Sequence, residues 1–131
     1  MTAWKLILVG ALVIGVVYFL MVLRHGFRAT DESTAGERAL ARAMRNLSIP
    51  RDGRQAKNPL QTTADNINNA RDIFIDRCAG CHGKDGSGIT QIGRNLYPKP
   101  PDLRMPQTQN LTDGEIHYII QNGVRLTAMP A

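Results

Sequence analysis

The sequence predicts an all-α chain made of one membrane-length helix, a polar connecting region and a small helical domain. Three observations carry this prediction. Leu6 to Leu23 is an uncharged apolar run, and two Thr-x-x-Glu pairs open segments with a helical apolar repeat. No segment shows the persistent two-residue alternation of a half-buried strand. At 131 residues the chain has room for one small domain plus accessory segments.

The run LILVGALVIGVVYFLMVL spans 18 residues. As a helix it reaches roughly 27 Å, enough to cross a hydrocarbon core. Trp4 and Lys5 at one end, with Arg24, His25 and Arg28 at the other, have the character of interfacial anchors. A cleaved signal peptide fits less well, because the apolar region is too long and no small-x-small site follows it. Residues 1–28 therefore read as an uncleaved anchor. Lys5 and the amino terminus balance Arg24 and Arg28, so the positive-inside rule does not choose an orientation.

Residues 29–63 read as an amphipathic helix followed by an extended linker. Thr34 and Glu37 have capping-box spacing, placing a helix start near Ala35. Leu40, Ala43, Met44 and Leu47 follow the helical repeat, with Arg38, Arg42 and Arg45 nearly opposite at about 100° per residue. Such a helix can lie on a bilayer, dock a partner subunit or pack on its own domain. SIPRDGRQAKNPLQTT, residues 48–63, has no periodicity and reads as a linker or as a strap across a partner.

The helical repeat resumes at residue 64. Thr63 or Asp65 can cap this helix, and Ile67, Ala70, Phe74 and Cys78 share one face. Residues 83–93 form a glycine-rich loop, and the four prolines of YPKPPDLRMPQ forbid a regular helix over residues 97–107. Thr112 with Glu115 opens a last helix bearing Leu111, Ile116, Ile119 and Ile120, which ends at Gly123. A domain this small buries little core without a staple, metal or cofactor. The net charge of +5 is dispersed among few aromatics, which argues against nucleic acid and fits acidic protein surfaces or anionic lipid heads.

DRCAGCHGKDGSG, residues 76–88, holds both cysteines of the chain. A redox Cys-x-x-Cys normally follows a strand, and here the preceding segment is helical. Structural zinc needs four ligands, and Cys78, Cys81 and His82 supply three, two of them awkwardly adjacent; only His25 and His117 remain as further candidates. The order C-x-x-C-H is the c-type haem attachment pattern. Two thiols one helical turn apart add across neighbouring vinyl groups, and the next residue is an imidazole for the iron.

NARDIFIDRCAGCHGKDGSG together with GVRLTAMPA resembles the class I, single-haem cytochrome c domain, in the branch written C-x-x-C-H-G-x-D-G-x-G. The resemblance covers about residues 65–131. It implies a small helical domain around one covalently bound haem c. Cys78 and Cys81 would attach it, with His82 and Met129 as its iron ligands and Phe74 at its edge. In the family a loop proline carbonyl accepts the proton of the ligand histidine, and Pro100 and Pro101 are the counterparts. Met105 and His117 are the rival distal ligands. Met129 is preferred because it follows the last helix, where the chain can return over the opposite haem face. Arg125 and Lys99 are candidates for the propionates or for plain surface charge. Ala70 and Ala128 stand where the family often has glycine, and the family's final helix has no counterpart before Ala131, so a truncated sequence is expected.

The resemblance implies a one-electron carrier with no open iron position, hence no substrate and no enzymatic role. Haem c is attached on the periplasmic side, which puts the amino terminus in the cytoplasm and overrides the neutral charge vote. The expected setting is the cytoplasmic membrane of a respiratory or photosynthetic chain. There the protein would serve as a subunit of, or docked to, a photosynthetic reaction centre, a quinol-oxidising complex or a terminal oxidase. A free membrane-tethered shuttle is the alternative, and a haem enzyme or gas sensor a more distant one.

Overall fold

The computed structural model describes residues 3–25 and 28–131, with the side chain of His25, one of the expected anchors, outside the described residues. Among the described residues seven α-helices follow in order: α1 Ala3–His25, α2 Ala35–Ser48, α3 Arg51–Gln55, α4 Ala64–Arg77, α5 Ala79–His82, α6 Pro106–Gln109 and α7 Asp113–Asn122. A single 3-10 turn, Gly93–Asn95, interrupts the loop between α5 and α6. No strand occurs among the described residues, so the chain is all-α.

The apolar helix α1 is longer than the run that predicts it and is long and apolar enough to cross a membrane. Its 23 residues extend to about 35 Å. Trp4 lies at its start with the Lys5 ammonium 6.0 Å from the ring centroid, a pairing suited to the headgroup layer.

Both expected capping boxes form. The Thr34 amide donates to Glu37 at 2.6 Å, and the Glu37 amide donates back to the Thr34 hydroxyl at 3.2 Å. The Thr112–Glu115 pair does the same at 2.9 and 3.2 Å. Thr63, rather than Asp65, caps α4, accepting from the Asn66 amide. These caps satisfy donors that a helix end otherwise leaves orphaned.

Within residues 48–63, the stretch read as a linker or a strap, the short helix α3 packs on α7. The Thr112 hydroxyl donates to the Arg54 carbonyl at 3.0 Å, and the Arg54 guanidinium lies 3.6 Å from Glu115. Gly114 makes the close approach possible. A methyl group there would overlap the Gly53 carbonyl oxygen and sit 2.7 Å from that of Ala56. No sequence periodicity marks this contact, because it is made by backbone approaching backbone. We expect Gly114→Ala to cost about 2 kcal/mol through overpacking. That would lower the melting temperature of the holoprotein by roughly 10 °C in a thermal scan.

The domain has little core of its own. Among the described residues Ile49 and Ala79 are the buried apolar side chains, and no large side chain is fully buried. Ile67, Ile73, Ile75, Ile89, Ile92 and Ile120 are all exposed. Protein atoms alone therefore give this domain a small hydrophobic driving force.

Candidate haem site

The site is built where α4 meets α5. Cys78 closes α4, its amide donating to the Phe74 carbonyl at 2.9 Å. It then opens α5, where its own carbonyl accepts from Cys81 at 3.2 Å and from His82 at 2.9 Å. Phe74, Cys78 and Cys81 therefore sit about one turn apart around one corner, with His82 directly after Cys81, and each of the four is half-buried. Both thiols are free.

His82 is held from the loop side. Its carbonyl accepts from Gly88 at 2.7 Å. Gly88 has φ of +74°, and a methyl there would lie 2.5 Å from the Pro100 carbonyl oxygen, so glycine is required where the two loops touch. Burial pushes the His82 imidazole below its usual pKa, against a smaller upward pull from the Pro101 carbonyl. Its Nδ1 is buried with no partner in full hydrogen-bond geometry. Both expected prolines approach this loop, their carbonyl oxygens lying 2.5 Å (Pro100) and 3.3 Å (Pro101) from where a methyl on Gly88 would stand. A neutral imidazole is the form that binds a metal.

Two further anchors went unnoticed in the sequence. The Thr90 hydroxyl donates to the Cys81 carbonyl at 3.3 Å and accepts from the Gly93 amide at 2.8 Å, tying the 3-10 turn to α5. Arg104 grips Asp102 through two side-chain bonds of 2.8 Å and reaches Asp85 at 3.4 Å. The Leu103 amide donates to Gly86 at 2.8 Å beside it, joining the proline loop to the Gly-Lys-Asp-Gly loop. Asp-x-Arg is a local signal, but its partner Asp85 is distant in sequence.

Hydrogen bonds from Arg104 hold the Asp102 carboxyl down at about 2. A depressed acid stabilises the fold above its unfolded pKa, near 4, and loses that contribution as pH falls through about 2. A carboxyl NMR titration should place Asp102 near 2, and Arg104→Ala should return it towards about 4.

Met129 is half-buried in the loop after α7. Its carbonyl accepts from the Val124 amide at 3.1 Å and its amide donates to the Thr127 hydroxyl at 3.1 Å. Leu126 adopts a left-handed φ of 63° and Gly123 one of 65°. A methyl at Gly123 would lie 2.8 Å from the Met129 carbonyl oxygen, so the loop folds tightly back on the end of α7. Met105 is instead the N-cap residue of α6, with its side chain exposed. His117 is an exposed residue of α7, and Arg125 is exposed as well. The Lys99 ammonium is occupied by the carbonyls of Ala29, Thr30 and Arg94, at 3.2, 3.0 and 2.6 Å.

The donor set fits haem c. Among the described residues no three His, Cys, Asp or Glu side chains gather around one point as a metal ion needs. Two thiols and an imidazole strung along a helix instead suit three separate attachments to one flat group. The exposed isoleucines suit an apolar one.

An all-helical domain with C-x-x-C-H at such a corner defines the class, a c-type cytochrome domain that works in electron transfer. Residues 65–131 match the family described as cytochrome C oxidase, cbb3-type, subunit III. The match covers half of the chain, and the chain belongs to that family. No curated protein and no solved structure matches it.

Proposed function

We propose that the chain is a membrane-anchored cytochrome carrying one covalently bound haem c, which moves single electrons as a subunit of a larger redox complex. The observation that carries the reading is the α4–α5 corner, with two free thiols about one turn apart and a half-buried imidazole directly after the second. When bound, haem c supplies a one-electron couple. Cys78 and Cys81 would hold it through thioethers, each thiol adding across a vinyl double bond. His82 would be one iron ligand, oriented by the Pro101 carbonyl. Met129 would be the other, presented by the loop closed on Gly123. With both positions filled, the chain has no role as an enzyme or a gas sensor.

The folding of the strap favours a fixed subunit over a free shuttle. Residues that could lengthen a tether are pinned, α3 on α7 and residues 29–30 on Lys99. The family description names an oxidase subunit, which favours a terminal oxidase over a reaction centre or a quinol-oxidising complex. Helix α1 would be the single-pass anchor, with the amino terminus in the cytoplasm and the haem domain in the periplasm. Extraction of native membranes in mild detergent tests the assignment. A subunit co-purifies with its complex, whereas recovery of the chain as a lone, intact cytochrome would favour the shuttle.

A further inference from the structure

Helix α2 presents its two faces in the reverse of the usual sense. Its arginine side is turned to the haem domain. Arg38 donates to the carbonyl of the buried Ser33. Arg42, Arg45 and Asn46 line a groove whose far wall includes Asn110, Leu111 and Glu115. At the helix start the Thr34 amide and hydroxyl, and after them the Tyr97 hydroxyl, hold the Glu37 carboxyl below the usual carboxylate range. The opposite side carries Leu40, Met44 and Leu47, which are 63%, 60% and 84% exposed. No element of the described chain packs on α2 through its backbone.

The surroundings identify what covers that face. Only residues 26–34 separate the end of α1 from the start of α2. Nine residues span at most about 30 Å even when fully extended, so α2 cannot leave the neighbourhood of the bilayer surface. Residues 24–48 carry five arginines against three acidic side chains. A basic amphipathic helix with an open apolar face is the chemistry of an interfacial helix on an anionic membrane. Tethering by α1 makes even three apolar side chains sufficient, because insertion becomes an intramolecular step.

We propose that α2 is a second membrane contact, with Leu40, Met44 and Leu47 seated in the interfacial layer of an anionic bilayer and the haem domain carried on the arginine side. The domain is thereby held at the surface in one orientation. The inference rests on the reading of α1 as a membrane span and on nothing about the iron ligands.

Photo-crosslinking in the full-length holoprotein, reconstituted in phosphatidylcholine–phosphatidylglycerol nanodiscs, tests it. The photoreactive residue p-benzoylphenylalanine is placed at Leu47, at Arg42 on the opposite side, or at Val13 within α1, and adducts are read by mass spectrometry. The expected result is lipid adduct at Val13 and Leu47, several-fold above that at Arg42. Lipid adduct at Val13 with none at Leu47 overturns the proposal and leaves the anchor standing. Adducts from Leu47 to a second copy of the chain overturn it in favour of self-association. Absence of lipid adduct at Val13 removes both the anchor and the proposal, while the haem spectrum of the same samples reports separately on the cytochrome reading.

Discussion

His82→Ala is expected to abolish stable holoprotein. The imidazole follows Cys81 directly and is half-buried, and that burial pushes its pKa below the usual histidine value. No neighbouring side chain can replace it, since His117 is exposed on α7 and the side chains beside His82 are Cys81 and Lys84. The consequences extend to the fold. With Ile49 and Ala79 as the buried apolar residues among those described, the domain depends on its cofactor for a core. Haem that is unligated on one side should also fail to hold α4, α5 and the proline loop together. The expected outcome is near-complete loss of low-spin haem absorbance in membranes, with little intact chain on a haem-stained gel. Normal low-spin haem in this variant would contradict the assignment of His82.

The second large effect is expected from Met129→Ala. Loss of the thioether should open the sixth position, admit carbon monoxide to the reduced protein, and lower the reduction potential. Axial ligands set haem potentials over about 0.8 V, and removal of one methionine should use a tenth of that range or more, a fall on the order of 0.1 V. The hydrogen bonds of the loop run through the backbone of Val124 and Met129 and the side chain of Thr127, so the loop itself should survive the change. Met105→Ala is the control. Its side chain is exposed at the start of α6, and the substitution should leave the potential unmoved. The reverse pattern would make Met105 the distal ligand.

Local features of this protein were legible in the sequence because local chemistry determines them. Thr34 with Glu37 and Thr112 with Glu115 announce helix starts, since a hydroxyl and a carboxylate three residues apart satisfy each other's backbone donors. The apolar run of α1 needs no partner to be recognised. The C-x-x-C-H cluster is legible for the same reason, as its chemistry lies within five consecutive residues.

Contacts between distant segments were not legible. Helix α3 is five residues long and lies between prolines, with no apolar stripe, and it docks through the bare backbone at Gly114. Nothing in residues 48–63 announces a partner some sixty residues away. The sequence leaves Pro100 and Pro101 equivalent, and only the fold brings both of their carbonyls against Gly88, in the loop that follows His82. The orientation of α2 is the third case. Its amphipathic repeat is plain, but an apolar stripe is ordinarily taken to face the domain, whereas here Arg42, Arg45 and Asn46 line a groove shared with Leu111 and Glu115 while Leu40, Met44 and Leu47 stay exposed.

The central claim is that His82 and Met129 together close both faces of one haem c. The ferric absorption spectrum of the purified holoprotein tests it most directly. We predict low-spin iron with the weak sulfur-to-iron charge-transfer band that marks methionine ligation, and loss of that band in Met129→Ala. High-spin ferric iron without the band in the unaltered protein would contradict the account, leaving an open iron position and a function in ligand binding or catalysis.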